Sequence, residues 1–296
     1  MAFANADERA GESGVEKKQL IIMINKLKYA TISDIGVSTL FFYDSNKEEE
    51  CYEFCRNNLI SFLPSKDRKS IYKSTESGFE MFKLTPDLTL NPYDRIFDNS
   101  TLKKFEKVNH NEIRFITEKA KIKGVVHIVD YNNENLQVEF YRAFYRFENN
   151  VRRLLINAKY KNEDFINWVK EQSETNNSEE NIKFWQNRYR ALMPENPIEL
   201  KKQEDKRLSS NPFQTFYFNE LLLFSVDKNL LEKSRIKLDS ITSLRNDIAH
   251  NKDVTSISED EDVGLVYNFK KLKAFVNKAN EFFEAYDYIE EKVKNQ

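Results

Sequence analysis

At 296 residues the chain is longer than one small domain and fits about two, at the usual roughly 100–200 residues each. Hydrophobic residues make up 40% and include 23 Phe and 14 Tyr, enough to build cores, while 32% charged residues and a mean hydropathy of −0.69 keep the surface wet. A net charge of −2 and a pI near 6.1 exclude the global basic field of an unspecific nucleic-acid binder, so a polyanion would have to be recognised locally.

The chain opens on a polar stretch, residues 1–16, that reads as a mobile tail without the apolar core of a signal peptide. No run approaches the ~18–20 apolar residues of a membrane span, so the expectation is a cytoplasmic protein without a membrane partner. From residue 17 short β-branched and aromatic runs alternate with helix-like stretches. "STLFFYD" (38–44), "EIRFIT" (112–117) and "GVVHIVD" (124–130) read as strands, and "KEEECYEFCRNNLI" (47–60) and "TLKKFEKV" (101–108) as helices. Cys51 and Cys55 lie four apart in the first of these helices. No further Cys or nearby His completes a ligand set, so they read as buried thiols and no metal is implied. His110, in "KVNHNE", reads as a turn residue.

At "DYNNEN", residues 130–135, the strand pattern stops and helical periodicity takes over. Phe140, Phe144, Phe147, Val151 and Leu154 recur at spacings of 4, 3, 4 and 3 and form one apolar stripe. "NEDFINWVKEQ" and "NIKFWQNRYRALM" follow as shorter helices, while "SETNNSEEN" and "PENPIELKKQEDKRLSSNP" read as loops by composition. One or two helices then end in "RNDIAH", with Leu238, Ile241, Leu244 and Ile248 on the packed side. The last helix is expected to open at "SEDE", where Ser258 and Glu261 have capping-box spacing, and to run on through Val263, Val266, Phe269, Leu272, Val276, Ala279, Phe283 and Tyr286. The organisation expected is α+β: a mixed α/β domain over 17–132 followed by an all-α bundle over 133–296.

The stretch "SLRNDIAHNK" (243–252) concentrates functional groups at a helix end. On a helix Asn246 and Asp247 share a face with His250, and Arg245 lies about 140° round and ~7.5 Å along the axis, bordering that face. An imidazole can take the proton of a ribose 2′-hydroxyl or give one to a leaving 5′-oxygen. A guanidinium can hold the phosphate as negative charge builds up, and Asp247 or Asn246 can orient the ring. One His supplies one of the two proton transfers, and a symmetric dimer would supply the second. The same residues also fit plain helix punctuation: His favours the negative end of the helix dipole, and Asn251 is an ordinary C-cap.

"RNDIAH" resembles the R-x4–6-H motif of the HEPN superfamily, and it sits, as in those domains, at the end of a late bundle helix with the long helix "EFYRAFYRFENNVRRLLI" to pack on. The resemblance covers roughly residues 134–296. It implies a dimerising helical bundle and a metal-independent endoribonuclease of the toxin, abortive-infection or antiviral-defence kind, acting on an RNA substrate with no required cofactor. It also implies His250 as catalytic acid/base, Arg245 as phosphate contact and Asn246 and Asp247 as supporting groups. Glu148, four residues before Arg152, is either a further cleft residue or half of an i,i+4 ion pair. A non-catalytic HEPN module that binds RNA, a nucleotide or a protein is the alternative.

"FDNSTLKKFEKVNHNEIRFITEKAKIKGVVHIVDYNN" resembles the second half of a CBS module, whose nucleotide-binding repeats often end in G-h-x-(T/S)-x-x-(D/N). Gly124 and Asp130 match, and His127 stands where that pattern has Thr or Ser. A degenerate earlier repeat would run from Tyr29, with Pro64 near its second strand, to a closing "SIYKSTESG" that lacks the G…D signature. The resemblance implies a regulatory or scaffold module with Gly124, His127 and Asp130 as nucleotide contacts and an adenine nucleotide as effector.

Overall fold

The computed structural model describes residues 26–106, 113–175, 178–255, 257–260 and 264–296, with backbone only at 257–260 and 264–266. The polar tail, His110 and Glu261 lie outside the described residues. The protein is a mixed α+β chain that divides into two compact units, Met1–Ala143 with Leu244–Asn280 and Phe144–Ser243 with Glu281–Gln296.

The first unit contains two small three-stranded sheets. Helix α1 (Ile32–Ile35) is closed at its start by a reciprocal Thr31–Asp34 capping box, and α2 (Glu48–Asn57) opens on three glutamates that suit a helix N-terminus. Strands β1 (Phe62–Pro64), β2 (Ser70–Thr75) and β3 (Gly78–Lys83) form an antiparallel meander. In the second sheet β4 (Thr89–Leu90) pairs parallel with β5 (Arg114–Glu118), which pairs antiparallel with β6 (Lys121–Val126); α3 (Asn99–Lys103) lies in the connection. Phe62 and Ile71 from the first sheet meet Phe115 and Ile122 from the second, together with Ile113, in one buried cluster. Cys51 and Cys55 are buried against Leu63, as the sequence suggested.

Two strand expectations change. "STLFFYD" forms no ladder: its aromatic rings are used, Phe41 stacking on Phe54 at 4.3 Å and Tyr43 on Tyr72 at 4.0 Å, but its backbone is not paired as a strand. Only Val37, just ahead of it, bridges Val125, through N–H to C=O bonds of 2.8 and 2.9 Å. "GVVHIVD" leaves the sheet at Val126, and Ile128–Asn132 turn into a 3-10 helix.

Helix α4 (Glu134–Asn157) carries the expected stripe, with Phe140, Phe144, Phe147, Val151 and Leu154 all buried. Its first part serves the first unit, where Phe140 packs edge-on against Phe97 and Phe275. Its later part serves the second, where Phe144 stacks on Phe282 at 4.1 Å and Phe147 meets Phe218 and Tyr286. That unit also holds α5 (Asn162–Thr175), α6 (Glu179–Leu192), α7 (Pro197–Ser209) and α8 (Phe218–Asp227). Trp168 of α5 lies against Trp185 of α6 and Phe224 of α8. Arg188 donates two hydrogen bonds, of 2.6 and 2.9 Å, to the buried Glu220 carboxylate. Burial pushes that carboxyl up and the guanidinium pulls it down.

Helix α7 replaces the loop expected at 194–212. Asn196 caps it by accepting from the N–H groups of Ile198 and Glu199, Pro197 supplies a preset first turn, and the Glu, Lys, Gln and Arg content favours helix without burying a single residue. After α9 (Leu238–Ala249) comes a hairpin of β7 (Ile257–Asp260) and β8 (Gly264–Tyr267), so this half of the chain is not all-α and the last helix does not open at "SEDE". Ser258 pairs with Val266 in the hairpin. Helix α10 (Phe269–Lys294) begins eleven residues later than Ser258, where the Asn268 side chain accepts from Lys271 N at 3.1 Å. Acidic residues at 259–262 are poor carriers of an apolar face, and Val266 and Tyr267, a β-branched and an aromatic residue, favour extension.

Gly124 is fixed by the Val37 bridge: a Cβ there would stand 2.8 Å from the Val37 carbonyl oxygen. Gly124→Ala is expected to lower stability by about 1–3 kcal/mol by forcing the 37–125 bridge apart. Urea unfolding followed by circular dichroism measures it, and an unchanged midpoint would refute it.

Candidate functional site

Of the "RNDIAH" residues, 245–249 are the end of α9 and His250 directly follows it. Ile241, Leu244 and Ile248 are buried and Leu238 is half-buried, as the periodicity indicated. The helix stops in a Schellman motif: Lys252 N–H donates to the Asp247 carbonyl at 2.9 Å, Asn251 N–H donates to the Ile248 carbonyl at 3.1 Å, and Asn251 takes the left-handed conformation with φ 47°. His250 is the residue just before that turn, so its Cα is held by the backbone while its side chain stands exposed. Arg245 is half-buried and Asn246 exposed.

Asp247 is not a partner of the imidazole. Its two carboxylate oxygens are taken by Lys252 at 3.2 Å and Lys278 of α10 at 3.0 Å. Lys252 and, from α10, Lys278 therefore share one carboxylate, which leaves this pair of lysines with one uncompensated positive charge at the end of α9 on a chain of negative net charge. Lys252 and Lys278 were not singled out from sequence. Lys252 was within reach of such reasoning, being five residues on, whereas Lys278 is 31 residues away and only α10 brings it near.

Glu148 lies in the other compact unit, on α4, in the i,i+4 ion pair with Arg152 at 3.4 Å, both side chains being mostly covered. Arg152 also donates to the Phe213 carbonyl at 3.4 Å, so the pair ties α4 to the loop ahead of α8.

The other predicted residues separate into two roles. Gly124 serves the backbone approach described above. His127 and Asp130 form a reciprocal cap on the 3-10 turn: Asp130 accepts from His127 N–H at 2.8 Å and His127 Nδ1 accepts from Val129 N–H at 3.3 Å. An imidazole here does the N-cap work that a Thr or Ser hydroxyl would do, with the proton of the neutral ring on Nε2. The His127 ring lies edge-on to Tyr267 of β8, centroids 4.9 Å apart, and both line a cavity of about 240 Å3 together with Asp130. Tyr267 had no sequence signal, since 140 residues separate it from its ring partner.

Among the described residues no helix is long and apolar enough to cross a membrane and no group of His, Cys, Asp and Glu is arranged to hold a metal ion. Comparison with family models, with curated proteins and with solved structures finds no match for this chain.

Burial raises the Asp130 carboxyl to about 6, against the opposing pull of the His127 N–H. The folded chain therefore holds this proton more tightly than the unfolded one between about pH 4 and 6; the associated stability is complete below the unfolded pKa and is lost as pH rises through about 6. Asp130→Asn keeps an oxygen to accept from His127 N–H and removes the buried charge. It is expected to gain about 1–3 kcal/mol at pH 8 and to flatten the stability profile from pH 4 to 6. Denaturant melts from pH 4 to 8 test this, and a variant less stable than the parent at pH 8 would reverse the assignment.

Proposed function

We propose that the protein is an endoribonuclease whose reaction centre is built from Arg245 and His250 and completed by a second copy of the chain. The observation that carries the reading is the exposed imidazole of His250 at the Schellman turn that ends α9, with Arg245 and Asn246 five and four residues before it and two lysines paired to Asp247. His250 of one copy takes the 2′-hydroxyl proton, the 2′-oxygen attacks phosphorus, the bond from phosphorus to the 5′-oxygen breaks, and His250 of the other copy protonates that oxygen. Arg245 holds the phosphate through the crowded transition state. The products are a 2′,3′-cyclic phosphate and a free 5′-hydroxyl. No step asks for a metal ion. Asp247, occupied by Lys252 and Lys278, sets the local charge rather than the tautomer of the ring.

A second reading has its own observation. Asn251 in the left-handed position and the doubly paired Asp247 account for part of the motif as helix termination, which leaves room for a non-catalytic module that binds RNA or a protein through the same face.

Purified protein is expected to cut single-stranded or tRNA-like RNA in EDTA, leaving cyclic phosphate ends. His250→Ala and Arg245→Ala are each expected to lower the rate by at least about a hundredfold, with melting temperature and oligomeric state unchanged. Full cleavage by His250→Ala refutes the catalytic reading; saturable RNA binding without turnover establishes the second.

A further inference from the structure

The cavity of about 240 Å3 beside the 3-10 turn is lined mainly by apolar side chains: Leu40, Phe41, Phe54, Phe62 and Leu63 form much of its wall. Its size is below the roughly 300–1,000 Å3 of drug-sized sites, so it suits a single ring with a short substituent. Thr39 and Asn58 add neutral polar groups to the lining, and the ionisable ones, His127, Asp130 and Tyr267, include a His127–Tyr267 ring contact.

Charge narrows the ligand. Among the described residues that line the cavity Asp130 is the one acidic group, and none is Lys or Arg. A phosphate placed here would meet a carboxylate and, among the described lining residues, no fixed cation, which is the reverse of a phosphate site. A protonated nitrogen would meet a carboxylate whose charge is costly because the surroundings withhold water, and pairing would offset that cost. The rings of Phe41, Phe54 and Tyr267 in the lining also suit a ligand with a ring and a cationic end.

We propose that this cavity is a binding site for a small aromatic amine, its ring among the phenylalanines and its ammonium group on the Asp130 carboxylate. The proposal is independent of RNA cleavage, since it rests on residues outside the "RNDIAH" turn. It also limits the adenine-nucleotide expectation: a nucleotide would have to leave its phosphate outside this cavity.

Isothermal titration of the full chain at pH 7.5 compares phenethylamine, phenethyl alcohol, phenylacetate and AMP. Saturable binding of phenethylamine is expected, with the alcohol at least about tenfold weaker and no heat from phenylacetate. Asp130→Asn, which retains the cap acceptor, is expected to weaken the amine about tenfold or more while leaving the alcohol unchanged. Val129→Phe, which fills the cavity and leaves the carboxylate in place, is expected to abolish both. Equal binding of amine and alcohol, amine binding that survives Asp130→Asn, binding of AMP or phenylacetate in preference to the amine, or no amine binding up to millimolar concentration would each overturn it.

Discussion

Helix α4 places an aromatic or branched apolar residue every three or four positions from Phe140 to Leu154, and the burial of that stripe is the constraint on which both cores depend. Each of these side chains contributes roughly 1.5–3 kcal/mol when removed from water. The stripe is continuous along one helix, yet its partners change along its length: Phe97 and Phe275 surround Phe140, while Phe218, Phe282 and Tyr286 surround the stretch from Phe144 to Phe147. Helix α10 is divided in the same way, with Phe275 in the first unit and Phe282 and Tyr286 in the second. Unbroken helices therefore supply both units, and neither core is complete without residues distant in sequence.

The two chemically notable places are opposites in solvation. His250 is held by backbone hydrogen bonds and offers its ring to water, which suits a group that must exchange protons with a substrate arriving from outside. Asp130 is held by a backbone N–H and has lost much of its water, which suits a group that waits for a complementary charge. Lysines gather near the first and are missing from the described lining of the second. The two proposed sites would select ligands of opposite sign.

Helix periodicity was the most legible signal. The stripe of α4 and the packed side of α9 are buried where the spacing puts them, because a regular helix carries its own geometry and needs no tertiary partner to define a face. Composition was a weaker guide. It led to a loop where Asn196 and Pro197 start α7, since an exposed helix has no apolar face to reveal it. It also led to a strand at "STLFFYD", where aromatic residues pack without a ladder, because strand pairing is a property of the neighbour as much as of the segment.

What the sequence determined by itself is local: the α4 stripe and the grouping of Asn246, Asp247 and His250 at one helix end follow from 3.6-residue geometry, and the burial of Cys51 and Cys55 from the lack of any partner for a ligand set. What only the tertiary structure decided is who meets whom. It gave Asp247 to Lys278 rather than to His250, set Tyr267 against His127, used Gly124 to admit the Val37 backbone, and gathered aromatic side chains around the cavity that Asp130 lines. Those pairings join residues tens to over a hundred positions apart, and only the burial of the shared cores brings them within reach of short-range forces.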